Sequence, residues 1–194
     1  GVGSLWYNKT GGEMYICTNA TAGANVWINV GAGTGDIAPV SHAAGGSYGY
    51  MSGGSPSKNF ITKYSFTVDG NDVDVGDLTV TRYSNPAGSS DTTHGYTAGG
   101  DHITLVIDRF PFATDTNATD VGDLVFTARV EMGNSSTTYG YSTSINTSGS
   151  RNSINKYSFS SDGNSTDVGD TIDIKTSTSG VSSEGYGYWA GGGP

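Results

Sequence analysis

The chain has 194 residues, the size of one domain with at most a small appendage. Its 31 glycines and 12 tyrosines, with only 14% charged residues, make it poor in helix formers and rich in residues typical of turns and pleated surfaces. The formal net charge of −9 argues against nucleic acid as a partner, because phosphate neutralisation requires clustered Lys and Arg. No apolar run approaches the roughly 20 residues of a membrane span. We therefore predict an all-β protein that has neither a nucleic-acid nor a membrane partner.

Residues 1–34 are predicted to form an N-terminal aromatic β-module. Apolar stretches at 4–8, 13–18 and 25–30 predict three strands, and the glycines of the 9–12 turn fit a hairpin. Cys17 lies in the middle strand, where we expect a small buried hydrophobe rather than a reactive thiol. Because a sheet of roughly 30 residues is marginal alone, the module is predicted to dock on a neighbour or to mediate oligomerisation.

A Gly/Ala-rich linker, residues 35–47, leads to a repeat domain, residues 48–194. The tetrapeptide Asp-Val-Gly-Asp occurs three times there, at offsets of 46 and 47 residues. An aromatic segment of the form Ile-x-Lys/Arg-aromatic-x-Phe precedes each copy, at 61–66, 107–112 and 154–159. Landmarks that keep one period indicate a repeated structural unit.

A third landmark keeps the same period. It is a triplet ending in Gly-Tyr, and a Gly-Gly pair follows it in three of the four copies. The third copy has Ser144-Ile145 instead, so we predict that this unit turns differently. The tyrosines of the triplets are Tyr48, Tyr50, Tyr96, Tyr139, Tyr141, Tyr186 and Tyr188, and His94, the first residue of the second triplet, is predicted to be a strand residue.

Each unit of about 46 residues is predicted to be a meander of short antiparallel strands. Its Gly-Gly strand end, its aromatic strand and a Leu strand ending in Arg (78–82) resemble the kelch blade of β-propellers. The sequence leaves open whether three units form a β-prism, belong to a larger propeller-like ring or are completed by other subunits. The extra terminal Tyr-Gly-Tyr strand favours closure by pairing with the first unit.

The acidic loop of each repeat, which is predicted to include the tetrapeptide, is the only candidate metal site. Oxygen ligands at short odd spacings suit Ca²⁺, which would stabilise the turn without catalysing a reaction. Asp and Asn are also the ordinary residues of turns and strand caps, and this alternative stays open. No other cofactor is expected. The candidate ligands are Asp69, Asn71, Asp74, Asp77, Asp115, Asn117, Asp120, Asp123, Asp162, Asn164, Asp167 and Asp170.

The triplet tyrosines could form a carbohydrate-binding surface, because aromatic faces stack on sugar rings. The alternative is that they pack across strands, as tyrosine commonly does in sheets. No nucleophile with its base and no unique pair of carboxylates stands outside the repeat or the loops, so we expect no enzymatic activity.

Two sequence patterns resemble phage proteins. The residues 3–8, 14–17 and 26–31 look like small modules of phage tail-fibre and other virion structural proteins. The repeat, with Asp-Val-Gly-Asp-Leu at 74–78 and His-Gly-Tyr-x-x-Gly-Gly at 94–100, is similar to repeats in structural proteins of marine phages, notably those of cyanobacteria.

These resemblances imply a structural protein of a bacteriophage virion, such as a tail fibre, a spike or a capsid-surface decoration. They imply an extracellular, virion location, a homo-oligomer such as a trimer, and contacts with other virion proteins and with host surface glycans. Two alternatives stay open: a propeller-like lectin or adhesin that binds carbohydrate, and a self-assembling extracellular filament subunit.

Overall fold

The computed structural model describes residues 1–8, 13–23, 26–29, 46–83, 86–100, 104–126, 129–146, 151–173, 176–183 and 185–193. The predicted 9–12 turn and residues 35–45 of the predicted linker lie outside these ranges. A membrane-spanning helix is absent from the described part of the chain.

The all-β prediction is confirmed, because every regular element of the described residues is a strand. The strands are β1 (Leu5–Asn8), β2 (Glu13–Asn19), β3 (Val26–Asn29), β4 (Tyr48–Ser52), β5 (Lys58–Ser65), β6 (Val73–Arg82), β7 (Ala87–Ser90), β8 (His94–Ala98), β9 (Val106–Pro111), β10 (Thr119–Asp123), β11 (Arg129–Ser135), β12 (Tyr139–Asn146), β13 (Arg151–Ser158), β14 (Thr166–Asp170), β15 (Thr176–Ser182) and β16 (Gly187–Gly193).

The chain divides into two compact units, Gly1–His42 and Ala43–Pro194. The smaller unit holds the three predicted N-terminal strands as an antiparallel sheet in the order β1-β2-β3. Cys17 is buried as predicted, with 3% exposure, and its strand neighbour is Trp27. Leu5 and Trp6 point to opposite faces, because side chains alternate along a strand, and both are more than half exposed. This small sheet therefore carries exposed apolar groups on both faces.

The larger unit contains four antiparallel sheets. The first sheet has the order β4-β5-β6, the second sheet β7-β8-β9-β10, the third sheet β11-β12-β13-β14, and the terminal hairpin is β15-β16. In each of the first three sheets a Tyr-Gly-Tyr-type strand pairs with an aromatic strand, which pairs with a strand that holds Asp-Val-Gly-Asp. Among the described residues β16 pairs with β15 alone, so the expected pairing of the last strand with the first unit is not present.

Two of the three strands predicted to end at a Gly-Gly pair do so, and the prediction is wrong for the last copy, because β16 continues through Gly191 to Gly193. Gly53 and Gly54 follow β4 with φ of 69° and 125°, and Gly99 and Gly100 follow β8 with φ of 62° and 126°. L-residues with side chains rarely adopt such angles, so glycine ends the strand there. The third copy lacks the pair, and β12 accordingly runs for 8 residues where β4 and β8 have 5.

The apolar core lies between consecutive sheets. In one cluster Ile61 and Leu78 of the first sheet pack with Phe110 of the second, and the ring of Tyr50 stacks 4.8 Å from that of Phe112. The next cluster joins the second and third sheets, and its buried members are Ala87, Tyr96, Ala98, Ile107, Leu124 and Tyr157. Each fully buried large side chain contributes about 1.5–3 kcal/mol of transfer free energy, so these two seams hold the sheets together.

Candidate functional site

Each Asp-Val-Gly-Asp tetrapeptide forms a bulge in a strand. The first aspartate caps the bulge, because its Oδ1 accepts a hydrogen bond from the glycine N–H two residues later. The donor–acceptor distance is 3.2 Å for Asp74, 3.0 Å for Asp120 and 3.2 Å for Asp167. The pairing register with the aromatic strand shifts within each tetrapeptide, as a bulge requires.

The loop of the next sheet caps the last aspartate of the tetrapeptide. The backbone N–H of Asp77 donates to Asn117 Oδ1 at 3.1 Å, and Ala118 N donates to Asp77 O at 2.8 Å. Asp123 has the same two contacts one sheet later, with Asn164 at 3.0 Å and Ser165 at 2.8 Å. The second aspartate therefore acts through its backbone, and the side chain that serves it comes from a loop about 40 residues away along the chain.

The φ angle favours glycine in all three tetrapeptides, and a close backbone contact also favours it in the first two. Gly76, Gly122 and Gly169 have φ of 154°, 151° and 152°, which residues with side chains rarely adopt. A Cβ on Gly122 would also lie 2.3 Å from the carbonyl oxygen of Gly163, and one on Gly76 would lie 2.6 Å from that of Thr116. The third glycine, Gly169, has open space where its Cβ would stand.

Ion pairs join consecutive sheets beside these caps. Lys63 Nζ lies 2.6 Å from Asp115 Oδ1, and an Arg109 guanidinium nitrogen lies 2.6 Å from Asp162 Oδ1. The hydrogen bond from Lys63 to Asp115 raises the pKa of that lysine. Both carboxylates are more than half exposed, so each pair contributes at most about 1 kcal/mol.

Seven of the twelve predicted metal ligands are therefore side-chain caps or members of ion pairs. Asp77 and Asp123 are capped through their backbones, and Asp69, Asn71 and Asp170 belong to neither group. Three of the aspartates cap their own bulge, two asparagines cap the preceding sheet, and Asp115 and Asp162 pair with cations. Within the ranges that the structure describes, no three His, Cys, Asp or Glu side chains are grouped so that they could hold a metal ion. The turn-and-cap interpretation explains the spacing of these residues, and Ca²⁺ binding stays a prediction.

A buried ion pair, which the sequence patterns had not indicated, lies between the first and second sheets. Arg82 Nη2 is 2.5 Å from Asp108 Oδ2, and both side chains are fully buried. Thr79 Oγ1 donates to Asp108 Oδ1 at 2.6 Å, and the Arg82 guanidinium donates to the carbonyls of Gly99 and Val106. Burial lowers the pKa of Arg82, and its contact with Asp108 opposes that shift. The pair is an internal cross-link without solvent access.

The seven triplet tyrosines differ in exposure. Tyr186 and Tyr188 are 74% and 53% exposed, Tyr48 and Tyr139 are 42% and 37% exposed, and Tyr50 and Tyr141 are half-buried. Tyr96 is 2% exposed, and burial raises its pKa to about 12. A sugar could stack on the four exposed rings, whereas Tyr96 has no free face.

One group of side chains resembles catalytic machinery. Thr93 Oγ1 lies 2.8 Å from His94 Nδ1 and donates to Asp91 Oδ1 at 2.8 Å. Asp91 Oδ1 also accepts from the backbone N–H of His94 at 2.7 Å. Burial alone would raise the pKa of Asp91, but its bonds from Thr93 and His94 lower it.

The other sheets explain this group. Ser136 and Ser183 stand where Asp91 stands, three residues before the triplet, and their Oγ atoms accept from Tyr139 N at 3.0 Å and Tyr186 N at 3.2 Å. The Asp91 cluster is therefore one version of a side-chain-capped turn that also precedes the triplets at 139–141 and 186–188. His94 begins β8, so its prediction as a strand residue is confirmed.

Comparison with known proteins gave no relative: no protein-family model matches the chain, and no curated protein matches it.

Proposed function

We propose that this chain is a structural protein of a bacteriophage virion: a tail fibre, a spike or a capsid-surface decoration that contacts the host surface. We further propose that the first three sheets of its larger unit are copies of one repeated module, stacked as an open, prism-like body. The phage-like sequence patterns support the location, and the contacts between sheets support the mechanical role.

The observation that carries the proposal is that two successive seams use the same contacts. Tyr50 stacks on Phe112 at 4.8 Å and Tyr96 packs on Phe159 at 4.6 Å, both across the boundary between one sheet and the next. The asparagine caps and the cation–carboxylate pairs recur at the same two boundaries. A body with two seams that are each apolar, hydrogen-bonded and ion-paired resists local opening there, which is what a particle-surface protein needs.

The N-terminal sheet supports a homo-oligomer. Leu5, Tyr7 and Ile28 are 65%, 55% and 53% exposed on this sheet, and Trp6 and Trp27 are 52% and 42% exposed. A sheet of three strands cannot stably hold so much apolar surface in water, so it is expected to be covered by other chains. Trimeric association and contacts with other virion proteins are assigned to this module.

Particle localisation tests the proposal. Virions purified from infected host cells would be labelled with gold-conjugated antibody against residues 43–194 and imaged by electron microscopy. Label is expected at fibres, spikes or the capsid surface, and peptides of this chain are expected in mass spectra of the same particles. Absence of the chain from purified particles, with its presence in the lysate, would refute the virion role. Genes for capsid, portal and tail proteins beside this one are the expected genomic context.

A carbohydrate-binding protein is the second candidate, because Tyr186 and Tyr188 expose their rings on one terminal hairpin. Soluble chain on a glycan array would bind defined sugars if this is its function. Substitution of these two tyrosines by serine should then abolish binding, while Tyr83→Ser, at an exposed tyrosine outside the triplets, serves as the matched control. A filament subunit would instead show repeating subunit contacts in micrographs without any capsid.

A further inference from the structure

Two clefts lie on either side of Trp189, between β16 and the third sheet. One has a volume of about 280 Å³ and is lined by Tyr141 and Ile154. The other has a volume of about 330 Å³ and is lined by Asp170 and Ile172. In the described part of the chain, no strand pairs with the second edge of β16. An apolar cleft beside an open strand edge is a place where an extended segment can bind.

The other sheets show which kind of segment occupies this position. Strand β9 pairs with the corresponding edge of β8, and β13 pairs with that of β12. Each of these strands places two aromatic side chains against a tyrosine of the preceding sheet, as in the contacts of Phe112 with Tyr50 and of Phe159 with Tyr96. Tyr141 is the third tyrosine at this position, and none of the described rings packs on it.

The charges follow the same pattern. Lys63 and Arg109 each pair with an aspartate from the loop of the next sheet. Lys156 is the third cation at this position, and its Nζ lies 4.8 Å from the centre of the Tyr139 ring. Among the residues that the structure describes, Lys156 has no carboxylate partner. The third sheet thus presents half of a seam: a tyrosine, an apolar wall and a lysine.

We propose that this half-seam, defined by Tyr141, Ile154, Lys156 and the free edge of β16, binds a β-hairpin from a partner polypeptide. The hairpin carries two aromatic residues two positions apart and an aspartate three residues after the second, as at 157–162. It would pair with β16, stack on Tyr141 and bind Lys156. The intact first sheet of a second copy cannot bind in this way, because its strand β4 would overlap with β16. This docking would connect the chain to another structural protein, so the inference rests on the proposed function.

A labelled peptide with the sequence of residues 151–170 provides the probe, and fluorescence anisotropy measures its binding to the full chain. Saturable binding is expected. Serine in place of the peptide residues Tyr157 and Phe159 should weaken it by at least about tenfold, because two buried rings are lost. Lys156→Glu in the protein should weaken it about threefold to fivefold, as expected for a partly exposed ion pair. A peptide with Asp162→Lys should restore binding to that variant.

Lys58→Glu is the matched control for charge, because Lys58 lies on the first sheet, beside the ring of Phe60. It should leave binding unchanged. No saturable binding, or binding that Lys156→Glu and the serine peptide leave unchanged, would overturn the proposal. Sedimentation of the chain alone tests the other occupant: concentration-dependent dimers that Lys156→Glu dissociates would assign the cleft to a second copy and refute the partner hairpin. A chain that is found in particles but does not bind the peptide would overturn the docking and leave the virion role intact.

Discussion

Replacing Gly122 with alanine, with Gly169→Ala as the control, separates backbone strain from packing at a seam. The two glycines have φ of 151° and 152°, so alanine should cost the same backbone strain at both, about 1–3 kcal/mol. Only at Gly122 would the new Cβ lie 2.3 Å from a carbonyl oxygen, that of Gly163. The loop must move away, and overpacking of this kind costs about a further 1–3 kcal/mol.

Urea unfolding at constant pH, followed by circular dichroism, measures both variants. Gly122→Ala is expected to lower the free energy of unfolding by about 1–3 kcal/mol more than Gly169→Ala, with an unchanged dependence on urea. In a domain of this size, this corresponds to a difference in Tm of roughly 2–4 °C per kcal/mol. Equal losses in the two variants would refute the claim that the tetrapeptide glycine allows one sheet to contact the next.

Three further results are expected. Asp108→Asn leaves a buried guanidinium without its counter-charge, so it should reduce the free energy of unfolding by about 3–5 kcal/mol. Asp115→Asn, at an exposed ion pair, should reduce it by less than about 1 kcal/mol. Similar losses in the two variants would contradict the role of the buried pair. Burial raises the pKa of Tyr96 and of Tyr157 to about 12, whereas an unfolded tyrosine has a pKa of about 10. The contribution of these two tyrosines to the free energy of unfolding should therefore be fully present below the unfolded pKa and be lost as the pH rises toward about 12. A free energy of unfolding that does not change over this pH range would contradict this. Because caps and ion pairs account for most of these loop oxygens without a metal, we expect calcium and chelator to leave Tm unchanged. A Tm that chelator lowers in calorimetry would instead favour the predicted Ca²⁺ binding.

Much of the local structure could be predicted from periodic landmarks. The alternation of apolar residues placed the strands, and the single unit without Gly-Gly has the longer strand β12. The burial of Cys17 followed from its apolar surroundings in the middle strand. These are properties of short segments, in which the side-chain period and the φ requirement of glycine decide the outcome.

The contacts between sheets could not be predicted in this way. The tetrapeptide appeared to belong to a turn, yet Asp77 lies in a strand and its partner Asn117 is 40 residues away. Tyr96 and Tyr188 occupy the same position of the repeat, but one is 2% and the other 53% exposed. The difference arises because the third sheet covers Tyr96, and a pattern within one unit carries no information on whether another unit covers it.

Hydrogen–deuterium exchange at single-residue resolution tests the stacked-sheet account most directly. The amides of Asp77 and Asp123 donate to asparagines of the following sheet, whereas Asp170 occupies the same position without a following loop among the described residues. Asp77 and Asp123 are expected to exchange slowly and Asp170 rapidly. Equal exchange at all three amides would mean that the sheets do not cap one another, and the account of a rigid, stacked β-body would fail.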